Sequence, residues 1–120
     1  MPYGADGDGD GRLPAHIEVS GMIRAVEAAG GFATVVKKGE RDAGTILVVT
    51  CEKGGNSTLY ERMPDLEGGR KWTVAKQQDP EKPFDFNDYL EKRGRQDGDC
   101  WIVELDVANA PQFIAGMPSP

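Results

Sequence analysis

Histidine is nearly absent from this chain: His16 is the only one among 120 residues. A nucleophilic triad or a His-rich metal site needs an imidazole beside a nucleophile or beside further ligands. His16 falls in the first turn of a predicted helix, next to a polar tail, and reads as a helix-terminus histidine without catalytic or metal role. Cysteine is scarce too. Cys51 and Cys100 lie in two predicted strands without CxxC spacing, which argues against a zinc knuckle or a disulfide scaffold and suits packed, reduced thiols in a cytoplasmic protein. Long apolar runs are missing, the longest strongly apolar one being Ile46 to Val49, and Met1 to Ala5 holds neither a basic nor an apolar targeting segment. Neither a signal peptide nor a membrane span is therefore expected. No Walker-type loop, no G-x-G-x-x-G after a strand and no G-x-S-x-G elbow occurs, so no cofactor is expected.

Basic residues are outnumbered, 14 Lys and Arg against 20 Asp and Glu, for a formal net charge of −6. Asp6, Asp8 and Asp10 supply half of that, so the remainder of the chain is only mildly acidic. A nucleic-acid binder usually carries a basic stripe, because neutralising phosphates supplies most of its affinity. The densest basic group here is Lys37, Lys38 and Arg41, with Arg70-Lys71 and Lys92, Arg93, Arg95 behind it; solvated loop and helix charges explain them without a nucleic acid.

What is present is enough for one α+β domain. Residues 1–12 are Gly/Asp-rich with almost nothing apolar to bury, and are expected to form a disordered tail. Residues 13–115 form the expected domain and 116–120 a frayed end. From Pro14 to Ala29, Val19, Met22, Ile23 and Val26 repeat at helical spacing, and Gly30-Gly31 closes the helix. Phe32 to Lys38 and Thr45 to Glu52 are β-branched runs joined by a polar loop, and they read as a hairpin. The tight turn Lys53-Gly54-Gly55-Asn56 returns the chain as Ser57 to Met63, and Lys71 to Lys76 follows as the next strand of a meander. Asp85 is placed to cap a helix holding Phe86 and Leu90, which Gly94 or Gly98 stops. Cys100 to Val107 alternates, with Trp101, Val103, Leu105 and Val107 on the face expected to be core. Asn109 is placed to cap a last helical turn. The predicted architecture is a four- to five-stranded, mainly antiparallel sheet with two main helices: the first across one face, its stripe meeting the odd face of the last strand, and the Phe86 helix near an edge.

Three groups of residues invite a chemical reading. Asp6-Gly7-Asp8-Gly9-Asp10-Gly11 matches the first half of a calcium loop, but position twelve, which should supply a bidentate Glu, is Ile17. An acidic tail is the simpler reading, and no metal site is expected. Glu52 and Glu61 flank the Gly54-Gly55 turn, while Glu104 and Asp106 share one strand face; such carboxylates do acid–base work only when a cleft desolvates one of them. Trp72 and Trp101 sit in predicted strands, where a core aromatic is favoured over a stacking platform.

Taken together, Leu13 to Ser20 (LPAHIEVS), Arg24 to Phe32 (RAVEAAGGF), Ala43 to Val48 (AGTILV) and Asp99 to Glu104 (DCWIVE) resemble a bacterial family known as domain of unknown function 1491. The resemblance spans about residues 12–107. It implies a small intracellular bacterial protein and supplies no activity, cofactor or catalytic residue. The residues themselves favour a non-enzymatic binding or protein-interaction module, monomeric or homodimeric through a sheet edge or face, with an unidentified protein partner. The alternative is a small carboxylate-dependent hydrolase or transferase, with or without a divalent metal, in which Glu52, Glu61, Glu104 and Asp106 are the residues to test. A third reading is a nucleic-acid binder using Lys37, Lys38, Arg41 and an exposed tryptophan.

Overall fold

The structure is a computed structural model that describes residues 13–118. The acidic tail of residues 1–12, its half calcium loop and residues 119–120 lie outside the described residues. The elements are α1 (Ala15–Ala28), β1 (Phe32–Lys37), β2 (Ile46–Glu52), β3 (Gly55–Pro64), β4 (Arg70–Gln77), α2 (Asp85–Gln96), β5 (Trp101–Asp106) and α3 (Ala110–Ala115). The five strands form one sheet in the order β1-β5-β2-β3-β4. Among the described residues only the β2/β5 pair is parallel. The α+β class and the mainly antiparallel sheet are as the periodicities require.

One expected pairing does not form. β1 and β2 are not a hairpin, because β5 lies between them, antiparallel to β1 and parallel to β2. The polar loop joining β1 to β2 bridges the start of β5 instead. Glu40 N donates to Asp99 O at 2.8 Å, Trp101 N to Thr45 O at 2.7 Å, and the Trp101 indole N–H to Glu40 O at 2.7 Å. Glycines make room for this: a Cβ at Gly39 or Gly44 would fall on the carbonyl of Asp99. Local pattern reading pairs neighbouring runs, and nothing in a loop's composition announces a strand that arrives 55 residues later.

β2 and β5 are central and are buried on both faces. On one face the α1 stripe of Val19, Met22 and Val26 packs with Ile46, Val48, Trp101, Val103, Leu105 and Val107, and α3 adds Ala110 and Ile114. The helix stripe and the odd face of β5 thus meet as anticipated. The other face carries Leu47, Val49, Leu59, Cys100 and Ile102 under Phe86, with Tyr89 and Leu90 beside them. Here the structure corrects a second expectation, since α2 crosses this face and does not sit at an edge. Burying Phe86 there stabilises the fold by about 2–3 kcal/mol, whereas a helix at an edge would leave the odd residues of β2 and the even residues of β5 wet.

Three side-chain links hold α2 across the strands. Lys76 Nζ of β4 lies 3.0 Å from Asp85 Oδ2 at the start of α2. Arg93 makes a bidentate pair with Glu61 of β3 at 2.7 and 3.0 Å. At the far end the aliphatic stem of Lys37 lies against Gly94, and its Nζ donates to the carbonyls of Gly98 and Cys100, each at 2.8 Å. Gly94 is therefore inside α2, where it leaves space for Lys37, and it does not stop the helix. Asp85 is the first helical residue; Phe84 occupies the N-cap position and makes no side-chain cap. Asn109 does occupy the N-cap of α3, but in a left-handed conformation and without a side-chain cap.

Candidate functional site

The four carboxylates proposed for acid–base work are divided by the pleat, and three of them, Glu52, Glu61 and Asp106, are occupied by structure. Glu52 points to the α1 side, where Glu52 Oε2 accepts the Asn109 N–H at 2.8 Å and fixes the approach to α3. Asp106 emerges on the opposite face and its carboxylate accepts the N–H groups of Lys53 and Gly54, at 2.9 and 3.2 Å. Glu61 is committed to Arg93, whose hydrogen bonds hold the Glu61 carboxyl below its usual range. Glu104 is half-buried on β5, one strand over from Cys51. Burial, with Glu104 and Asp106 nearby, pushes the Cys51 thiol up to about 11, and burial likewise raises Cys100. Both cysteines are free and buried; a thiol in such a setting is a poor nucleophile. Among the described residues no group of three or more His, Cys, Asp or Glu side chains is placed to share a metal ion.

The basic residues are similarly spread. The Lys37 ammonium is engaged by two carbonyls, while Lys38 and Arg41 are exposed on the loop that follows β1. Trp101 is buried. Trp72 is partly buried, with the Arg62 guanidinium 4.8 Å from its ring centroid and its indole N–H directed at Pro118 O. His16 lies at the start of α1 and its Nδ1 is 3.1 Å from Arg41 O.

A polar cavity of about 420 Å³ lies between the start of α1, the 42–46 segment and the ends of β3 and β4. Its wall holds an ion pair that no local sequence signal announces. Arg62 of β3 grips Glu18 of α1 with two hydrogen bonds, at 2.6 and 3.0 Å, the side chains being 6% and 13% exposed. Asp42 and Arg70 complete the charged lining, so the cavity carries both signs in balance. The first amides of α1 do not open into it as an anion site, because Ala15 N and His16 N donate to Asp42 O and Arg41 O, each at 2.9 Å.

The surface least accounted for by the fold is the outer edge of β1. Trp101 N donates to Thr45 O and Val107 N to Cys51 O, so the odd residues of β5 face β2 and the even ones face β1. Their partners Phe32 and Thr34 bond back to β5. By alternation, Ala33 and Val35 turn their N–H and C=O groups outward, where no strand among the described residues pairs with them. Side chains on this edge are apolar and exposed: Phe32 is 76%, Val36 56% and Val35 39% accessible. Beside Val36 a groove of about 440 Å³ opens between β1 and α2, lined by Lys37, Leu90, Glu91, Gly94, Arg95 and Ile102. The opposite edge differs, since β4 carries Arg70, Lys71 and Lys76, the charged residues that discourage edge pairing. The uncharged run from Phe32 to Val36 was legible in the sequence, but its place at an edge depends on the insertion of β5.

The model of a family of proteins of unknown function, DUF1491, matches residues 13–115. The chain belongs to the DUF1491 family. Solved structures agree. A crystal structure of a DUF1491 protein from Caulobacter crescentus superposes with a TM-score of 0.73 at 29% identity, covering 91% of this chain and 98% of that one. The NMR structure of a DUF1491 protein from Caulobacter crescentus gives 0.69 at 31% identity over 85% and 92%. A protein of A. tumefaciens solved in solution gives 0.68 at 30% identity over 91% and 98%. Comparison with curated proteins returns no match. No helix among the described residues of this DUF1491 chain is long and apolar enough to cross a membrane.

Proposed function

We propose that this DUF1491 protein is a non-catalytic interaction module whose docking element is the outer edge of β1. The observation that carries the reading is the contrast between the two sheet edges: β4 is charged, whereas β1 offers outward backbone groups and no charge from Phe32 to Val36. A strand supplied by a partner would satisfy those groups, with exposed Phe32 and Val36 gripping its side chains. The engagement of Glu52, Glu61 and Asp106 in structural hydrogen bonds supports a binding role over carboxylate catalysis. Two buried free thiols, and relatives from Caulobacter crescentus and A. tumefaciens, support a bacterial cytoplasmic setting.

Val35→Pro tests this. Proline removes the outward N–H and is tolerated on an edge whose inward bonds it does not touch. Associations of the wild-type chain, with itself or with other proteins, should disappear in Val35→Pro and persist in a control on the other edge, Lys71→Glu. If they survive Val35→Pro unchanged in a folded protein, the edge is not the docking element.

A further inference from the structure

We infer that the occupant of the β1 edge is a second copy of this chain, paired antiparallel about a two-fold axis through Thr34. This rests on the reading of β1 as the docking edge and adds the partner and the register. A two-fold axis that extends a sheet through antiparallel edge strands runs normal to the sheet, so it keeps each face on its own side. Residues that oppose one another across it must therefore share a face, which requires their numbers to sum to an even value.

The backbone then selects among the even registers. With Thr34 opposite its own mate, Ala33 opposes Val35 of the second copy. These are the residues whose N–H and C=O groups point outward, and each such pair exchanges two hydrogen bonds. Thr34, whose groups face β5, becomes the non-hydrogen-bonded pair on the axis. The same register sets Phe32 opposite Val36 of the second copy, on the α2 side of both sheets. Phe32 is the most exposed large apolar side chain of the strand, and the groove beside Val36 has an apolar floor of Leu90 and Ile102 between the charged side chains of Lys37, Glu91 and Arg95. Each copy thus presents a projection and a recess at opposite ends of one short strand, and the two-fold operation puts one into the other twice.

Charges are consistent with this arrangement. Beyond the bulge at Val36 the chain continues to Lys38, which the antiparallel pairing carries toward the C-terminal end of the other copy's α1, a helix end that has no basic residue in its last turn and carries Glu27 there. A cation at that end complements the helix carbonyls.

Light scattering and sedimentation on the full chain supply the test. The wild type is expected at twice the 13.0 kDa chain mass, and Val35→Pro or Phe32→Asp should raise the dimer dissociation constant by at least about tenfold. Circular dichroism verifies that both variants remain folded. The register has its own probe. Opposed Cα atoms of a non-hydrogen-bonded pair lie about 4.5 Å apart, within disulfide reach, so Thr34→Cys should cross-link into a covalent dimer under mild oxidation, whereas Ala33→Cys, opposed to Val35, should not. A dimer that forms without Thr34→Cys cross-linking overturns the register. A wild-type chain that stays monomeric at millimolar concentration overturns the second copy as occupant. In that case, loss of another protein's binding in Val35→Pro leaves the docking edge intact as a reading, and unchanged binding removes both.

Discussion

Arg62 and Glu18 show how much can hang on one contact between elements. Their bidentate geometry satisfies two groups that are nearly out of solvent, with the Trp72 ring against the guanidinium. Removing one partner strands the other charge, and Glu18→Ala should cost about 3 kcal/mol in a urea titration. The paired replacement Glu18→Leu with Arg62→Met should recover most of that loss, because no charge is left buried. Cys51 gives a prediction in pH. Its folded value, about 11, lies above its ordinary 9.0, so the protonated thiol belongs to the folded state. The associated stability is fully present below pH 9 and is lost as pH rises through the folded value. Cys51→Ala should flatten this part of the alkaline limb of a stability-against-pH curve, and an unaltered limb would mean that other groups set it.

At the scale of elements, the turn between β2 and β3 depends on a residue from β5. Lys53 and Gly54 both have positive φ, 53° and 79°, the signature of a two-residue type I′ turn. Their two N–H groups point at the Asp106 carboxylate. Asp106→Ala should destabilise the fold by about 2 kcal/mol, since these hydrogen bonds involve a charged acceptor, and thermal unfolding measures it. Gly39 has a different role. A methyl group there meets the backbone of Asp99 and Cys100, so Gly39→Ala must displace either the bridging loop or β5. Its expected cost exceeds the ~1 kcal/mol typical of a Gly/Ala change by conformational preference alone, and a stability within experimental error of wild type would show that the loop shifts freely. The positive-φ turn was readable from its glycines; the carboxylate beneath it was not, because Asp106 is 53 residues away.

Over the whole molecule, the centre of the sheet is built from the strand that comes last. β5 pairs with β1 on one side and β2 on the other, and its side chains enter both halves of the core. The first half of the chain therefore cannot complete a core until β5 arrives. A chain truncated after Gly98 should lack cooperative unfolding and disperse poorly in an amide NMR spectrum. Hydrogen exchange should be slowest for the amides of Val103 and Leu105, which point to β2 from a doubly covered strand. A protected native-like fold in the truncated chain would contradict this account.

Periodicity by itself determined α1, α2, the meander of β2, β3 and β4, and the odd face of β5, because each is a short-range repeat of apolar side chains that physics must bury on one side. Family membership was likewise legible, in segments such as LPAHIEVS and DCWIVE. Tertiary structure alone decided that β5 parts β1 from β2, that α2 lies over the sheet centre, and that Glu61, Asp106, Lys37 and Arg62 find their particular partners. These are meetings of residues 32 to 63 positions apart. No local signal encodes such meetings; they follow from the one chain path that buries both faces of β2 and β5, and that same path leaves the outer edge of β1 unpaired among the described residues.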